Sequence, residues 1–187
     1  MKNILAICGS TRKNSTNLSL IQAIIKMSID QFNIEILEGL DSLPHYNPDL
    51  DNDNPPLEIV EFRNKLRSVD GILICTPEYA MGVPGTLKNA IDWTVSSMEF
   101  SHKPTALITA SSVGQKAHES LLGTLKIIEA ETTSETQLLI PFAKTKISSN
   151  AEIIDPKTLY DVILLLNSFY TQLTKKNQSC QVQNHLT

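Results

Sequence analysis

Unbroken apolar runs and helical apolar stripes alternate along the 187-residue chain. Ile4-Leu5-Ala6-Ile7-Cys8 has the pattern of a strand covered on both faces, and Gly71-Ile72-Leu73-Ile74-Cys75 and Thr105-Ala106-Leu107-Ile108-Thr109-Ala110 repeat it. Asn33 to Leu37 alternates polar and apolar, as an edge strand does, and Thr136 to Ile140 is mixed, which suits the opposite edge. Between these runs lie stripes at helical spacing. The first is Leu18, Ile21, Ile25 and Ile29; the second, after Pro55 and Pro56, is Ile59, Phe62, Leu66 and Val69. Leu87, Ala90, Ile91 and Val95 mark a third, and Ala117, Leu121, Leu125 and Ile128 a fourth. Asp155-Pro156 opens the last, which carries Leu159, Val162, Ile163, Leu166, Phe169, Tyr170 and Leu173.

Five β-α units with short crossovers predict an α/β fold: a parallel sheet with helices on both faces. Setting the two alternating strands at the edges gives a flavodoxin-like three-layer sandwich of strand order 2-1-3-4-5. Ligands of such sheets bind beyond the carboxyl ends of the strands, between strands 1 and 3. One domain is expected over residues 1–174, followed by a polar tail over 175–187. The loop from Glu38 to Asn54 is long and rich in Pro, Asp and Asn, a length more often functional than idle.

The net charge of −4 argues against a nucleic-acid or anionic-membrane partner. No apolar stretch has the length of a membrane span, and the start is too brief for a signal peptide, so the cytoplasm is the expected compartment. Cys8, Cys75 and Cys180 have no metal-ligand spacing; the first two close apolar strands and read as buried reduced thiols, with a redox-active pair as the alternative. His45, His102, His118 and His185 are scattered, so no metal is expected. His45 and Tyr46 are candidates to face a substrate, whereas His118, opening a helix, reads as solvated.

Two segments carry the chemistry. Gly9 to Asn17 joins strand 1 to helix 1, where free amides and the helix dipole attract anions. Ser10, Thr11, Ser15, Thr16, Asn17 and Arg12 surround that point with hydroxyls, an amide and a guanidinium. A charge-assisted bond from Arg12 would be worth about 1.5–3 kcal/mol. Neither GxGxxG nor GxxxxGK[ST] is present, which disfavours a dinucleotide fingerprint or a triphosphate loop. The second segment is Thr76-Pro77-Glu78-Tyr79-Ala80-Met81-Gly82-Val83-Pro84-Gly85, a Pro/Gly loop whose backbone can approach a flat ring. Together the two suggest a phosphate-bearing flat cofactor such as FMN. A third loop, Ser111-Ser112-Val113-Gly114-Gln115, opens at the same sheet edge, with Ser111 and Gly114 best placed to touch the ring. Glu78 reads as a maker of structural hydrogen bonds that offers its backbone, with a general acid as the alternative; Lys88, Asn89 and Asp92 read as helix-surface or capping residues, and Trp93 as a packing anchor.

GSTRKNSTN, TPEYAMGVPGTLKNAIDW and Leu43-Pro44-His45-Tyr46-Asn47-Pro48-Asp49-Leu50 resemble the NADPH-dependent FMN reductase family, which includes quinone, chromate and azo-dye reductases. The resemblance covers about residues 1 to 130. It implies FMN phosphate at Ser10, Arg12, Ser15 and Asn17, and ring contacts at Pro77, Glu78, Tyr79, Ala80, Met81, Ser111 and Gly114. It implies NADPH or NADH as hydride donor, a small oxidised acceptor, and a homodimer or homotetramer. Chemistry carried by the flavin requires no catalytic side chain. The alternative is a flavodoxin-like electron carrier that oxidises no NAD(P)H; Arg12 and the mild acidity speak against it. Many members have Asn where this chain has Ala80, and a double glycine where it has Gly114-Gln115.

Overall fold

The computed structural model describes residues 1–183, with side chains through residue 175. Its sheet comprises β1 (Lys2–Cys8), β2 (Phe32–Ile36), β3 (Gly71–Thr76), β4 (Thr105–Ala110) and β5 (Gln137–Ile140). All neighbouring pairs are parallel and the order is β2-β1-β3-β4-β5, as the sequence pattern predicts. The helices are α1 (Thr16–Met27), α2 (Leu57–Ser68), α3 (Gly85–Asp92), α4 (Gln115–Ile127) and α5 (Pro156–Gln183).

Alternation along the central strands builds one core on each face. Ile4, Ala6, Leu73, Cys75, Ala106 and Ile108 pack under α1 and α5. Leu5, Ile7, Ile72, Ile74 and Leu107 pack under α2, α3 and α4. Burying each large aliphatic chain contributes about 1.5–3 kcal/mol. A few such residues therefore match the whole net stability of a domain, about 5–15 kcal/mol.

Several sequence-based boundaries shift. On α1 the buried stripe is Leu20, Ile21, Ala23 and Ile24, while Ile29 lies beyond the helix and is exposed, because the chain turns at Ser28 to enter β2. Val95 falls outside α3, which ends at Asp92, and is exposed. On α5 Leu165 joins the core and Ile163 does not. The expected boundary of the tail at residue 175 falls inside α5. Asp155 caps that helix, accepting from the Thr158 amide at 2.8 Å and hydroxyl at 2.7 Å. A short antiparallel hairpin, β6 (Ile147–Ser148) and β7 (Glu152–Ile153), has no counterpart in the five-unit pattern, since two-residue strands leave no periodicity to read. His185 lies outside the described residues, as does the side chain of Cys180.

Candidate functional site

Parallel strands deliver the loops after β1, β3, β4 and β5 to one edge of the sheet. The loop after β1 is drawn tightly against β3: the Gly9 amide donates to the Cys75 carbonyl at 2.8 Å. A Cβ at Gly9 would stand 2.4 Å from Thr76 Oγ1, so only glycine permits this approach. Ser15 is the N-cap of α1, its hydroxyl accepting from the Asn17 amide at 3.2 Å. Asn17 is buried, and its Nδ2 donates to the Ala110 carbonyl at 3.0 Å, tying the phosphate-type loop to β4. Among the described residues, no backbone amide from Ser10 to Thr16 donates to a protein acceptor. A run of unclaimed donors at a helix start is what an anion requires.

The loop after β3 folds back on itself. Tyr79 and Gly82 exchange two backbone hydrogen bonds of 2.8 and 3.0 Å, with Ala80 and Met81 at φ 49° and 63° between them. Hence the Tyr79 amide is spent inside the turn, and the Glu78 amide donates to Ser111 Oγ at 3.1 Å. The donors this loop still offers are the Ala80, Met81 and Val83 amides, the first two at the tip of the turn. Glu78 Oε2 accepts from the Ala117 amide at 2.9 Å and so caps α4, a structural hydrogen bond. Gly114, at φ 94°, precedes that helix; a Cβ there would meet Leu139 at 2.9 Å. Ser10 Oγ and Tyr79 Oη stand 3.4 Å apart and link the first two loops.

A cavity of about 160 Å³ lies where these loops meet. Ser10, Arg12, Ser15, Thr16, Asn17, Pro77, Glu78, Tyr79 and Ser111 line it. Ala80, Met81 and Gly114 do not: the first two sit at the tip of the β3 turn, and Gly114 lies behind Ser111 at the start of α4. Ala110, Ser112, Ala143 and Lys144 line it as well. Lys144 follows β5 at the same sheet edge, a position the topology alone would have flagged. Burial pushes the Cys8 thiol up and the Cys75 thiol well up, so both thiols stay protonated, which disfavours a thiolate pair. Among the described residues no carboxylate but Glu78 lines the cavity, and Arg12 and Lys144 give it positive charge.

Outside the cavity, the motif residues Asn89 and Trp93 hold the long loop. Asn89 Nδ2 and Trp93 Nε1 both donate to the Pro44 carbonyl, at 3.0 and 2.8 Å, and Asn89 Oδ1 accepts from the Tyr46 amide at 2.7 Å. Lys88 and Asp92 form a surface pair of 2.6 Å. His45 and Tyr46 do not line the cavity; Tyr46 packs edge-on against Trp93 at 5.1 Å. His118 is half-buried rather than solvated, its Nδ1 2.9 Å from Thr109 Oγ1.

An anion-ready helix start, a facing turn with open amides and a 2-1-3-4-5 sheet define the flavodoxin-like class of α/β protein. Residues 2–145 match the family of NADPH-dependent FMN reductases, and the chain belongs to that family. It is 31% identical over 160 residues to an NAD(P)H-dependent FMN reductase of Pseudomonas aeruginosa, covering 82% of this chain and 85% of the relative. To NADH-dependent flavin reductase subunit 2 of Lactobacillus johnsonii it is 32% identical over 178 residues, 89% of this chain and 94% of the relative. Among solved structures, the flavoenzyme NAD(P)H:(acceptor) oxidoreductase FerB from Paracoccus denitrificans superposes with a TM-score of 0.81 at 26% identity, covering 94% of this chain and 98% of the other.

Proposed function

We propose that this chain is an FMN-dependent NAD(P)H oxidoreductase that reduces small quinone- or flavin-type acceptors. The observation that carries the reading is the run of unclaimed amides from Ser10 to Thr16, set beside Arg12 and Lys144 and opposite the Pro77–Tyr79 wall. The residues present fit a flavin mononucleotide. The amides, the Ser10 hydroxyl and the two cations are donors for a phosphate. Asn17 Oδ1 is buried with no protein partner, an acceptor left for a hydroxyl of the sugar-alcohol chain. FMN supplies the hydride and electron chemistry when bound.

The protein's own part is to hold and to orient. Ser10, Arg12, Ser15, Thr16 and Asn17 would anchor the phosphate end. Pro77, Glu78, Tyr79, Ala80, Met81, Ser111 and Gly114 would form the ring side, with the Ala80 and Met81 amides among its open donors. Glu78 sets the geometry of that wall by joining it to the start of α4. Tyr79, Met81, Val113 and Phe142, on the loops after β3, β4 and β5, are exposed, and a second copy of the chain would cover them in a homodimer. Free Cys8 and Cys75 support a reducing compartment, the cytoplasm. No helix among the described residues is long and apolar enough to cross a membrane.

Anaerobic mixing of the FMN-loaded protein with NADPH or NADH tests the reading. Rapid bleaching of the flavin with nucleotide alone is expected. A protein that stays yellow until a partner reductase is added would be a carrier instead.

A further inference from the structure

The outer face of α5 is open to solvent. Tyr160, Leu164, Asn167, Thr171 and Lys175 recur along it at helical spacing, and all five are exposed. Tyr160 is 61% exposed and Leu164 46%; Ile163 and, two residues ahead of the helix, Ile154 are exposed as well. From Val162 to Thr174 the helix has no charged residue, although 19% of the chain is charged. A helix face covered only by water is ordinarily charged or strongly polar. This one is apolar at its start and uncharged along its middle, the pattern of a surface that meets another protein surface.

The ends of the face indicate what covers it. Lys157 and Asp161 lie at the N-terminal end, paired at 2.6 Å. Lys175 lies at the other end, where it and Glu135 line a groove of about 470 Å³ between α5 and the short helical turn Ser134–Thr136. Each end therefore carries one charge of each sign. A second copy laid parallel would set Lys157 against Lys157 and Lys175 against Lys175. Laid antiparallel, it sets Asp161 against Lys175 at both ends and opposes the two helix dipoles.

We propose that α5 docks antiparallel on α5 of a second copy of this chain, about a two-fold axis passing between Asn167 and Ser168. That axis places Leu164 opposite Thr171 and Tyr160 opposite Lys175, each twice by symmetry. The Tyr160 ring of one copy then meets the groove that Thr171 and Lys175 line on the other. Short side chains at the centre let the helices approach, and a central Asn holds the register. None of these residues lines the cavity assigned to FMN, and the inference does not rest on the flavin reading.

Sedimentation of the full chain, with and without FMN, tests it. Leu164→Asp should halve the mass of the assembly; Leu164 is exposed, so the core is left intact. Lys175→Glu should weaken association by roughly tenfold, and adding Asp161→Lys to the same chain should restore it. With Cys180→Ser as background, Ser168→Cys should form disulfide-linked dimers on mild oxidation. Tyr160→Cys should not, because antiparallel pairing holds its two copies roughly 22 Å apart along the helices. A wild-type chain that stays monomeric up to sub-millimolar concentration would overturn the inference, as would a mass that Leu164→Asp leaves unchanged. Crosslinking through Tyr160→Cys in place of Ser168→Cys would overturn it too, in favour of a parallel pair.

Discussion

The indole N–H of Trp93 donates to the Pro44 carbonyl at 2.8 Å, joining residues 49 positions apart. Trp93 ends the Pro/Gly motif segment and is fully buried; Pro44 lies in the long loop after β2. The bond makes the motif's final residue the fastener of a different loop. Asn89 makes a second fastening to the same carbonyl. Trp93→Phe should keep most of the packing but lose the bond, at a cost of about 1–3 kcal/mol. Urea unfolding measures that loss. Limited proteolysis should show faster cleavage between residues 38 and 54.

The same loop is held at its far end by a buried pair. Arg63 Nη2 lies 2.7 Å from Asp51 Oδ1, with side-chain exposures of 7% and 6%, and Ser96 Oγ donates to Asp51 at 2.7 Å. Burial alone would raise the Asp51 carboxyl. Hydrogen bonds from Arg63 and Ser96, with the charge of Arg63, outweigh it and hold the carboxyl below the ordinary carboxylate range. A carboxyl lowered by folding adds stability that is full above its unfolded pKa of about 3.9 and is lost as pH falls through the lower folded value. Asp51→Asn should therefore be destabilised against wild type at pH 7, and the difference should shrink steadily below about pH 4. Denaturation midpoints across pH 2 to 7, on the order of six points, would follow it.

Glu78 ties the ring-side wall to α4 through the Ala117 amide. Removing the carboxylate in Glu78→Ala leaves that amide unpaired at a helix start, a loss of about 0.5–2 kcal/mol. FMN affinity should fall as well, because the Ser111 contact to the Glu78 amide loses its support. Glu78→Gln keeps an acceptor and should fall between wild type and alanine in both measurements, thermal unfolding and flavin fluorescence quenching.

His118 supplies a second test of pH, of the same sign but in a higher pH range. Burial lowers its pKa, against smaller raising effects from Gln137 and Glu119. The unfolded chain then takes up the proton first, so stability should decline as pH falls below about 6.5 and level off below the folded pKa. His118→Gln should flatten that slope, and calorimetric melting between pH 5 and 8 would reveal it.

The pattern of apolar runs carried the sheet order because both faces of β1, β3 and β4 are buried, and continuous apolar strands flanked by stripes leave few alternatives. It misplaced Ile29, Val95 and Ile163, since an apolar residue near a helix end fits the stripe whether or not the backbone is still helical there. The phosphate-side residues were legible because they are contiguous in sequence and sit at a helix start. Lys144 was not, although the predicted strand order already set β5 beside β4: it lies far from those residues in the chain, in a segment after β5 with no glycine or helix-start motif to mark it. The Tyr79–Gly82 exchange was hidden for a different reason: which amides a turn keeps for itself depends on the positive φ angles of Ala80 and Met81, which no composition rule assigns to such residues.

Arg12 is exposed and has no protein partner among the described residues, yet it lines the cavity beside the unclaimed amides. If those amides and this guanidinium grip a phosphate, FMN should bind far more tightly than riboflavin, which is the same ring and chain without the anion. Each part then makes its own mark. Arg12→Ala should weaken FMN by roughly ten- to a hundredfold, the effect of one charge-assisted bond of about 1.5–3 kcal/mol. It should leave the weak binding of riboflavin nearly unchanged. Added salt should narrow the gap between wild type and Arg12→Ala, since screening acts on the exposed guanidinium more than on backbone donors at the helix start. Fluorescence titrations of both flavins at low and high ionic strength would measure all of this. A variant that lost riboflavin and FMN in equal proportion would place Arg12 on the ring side instead.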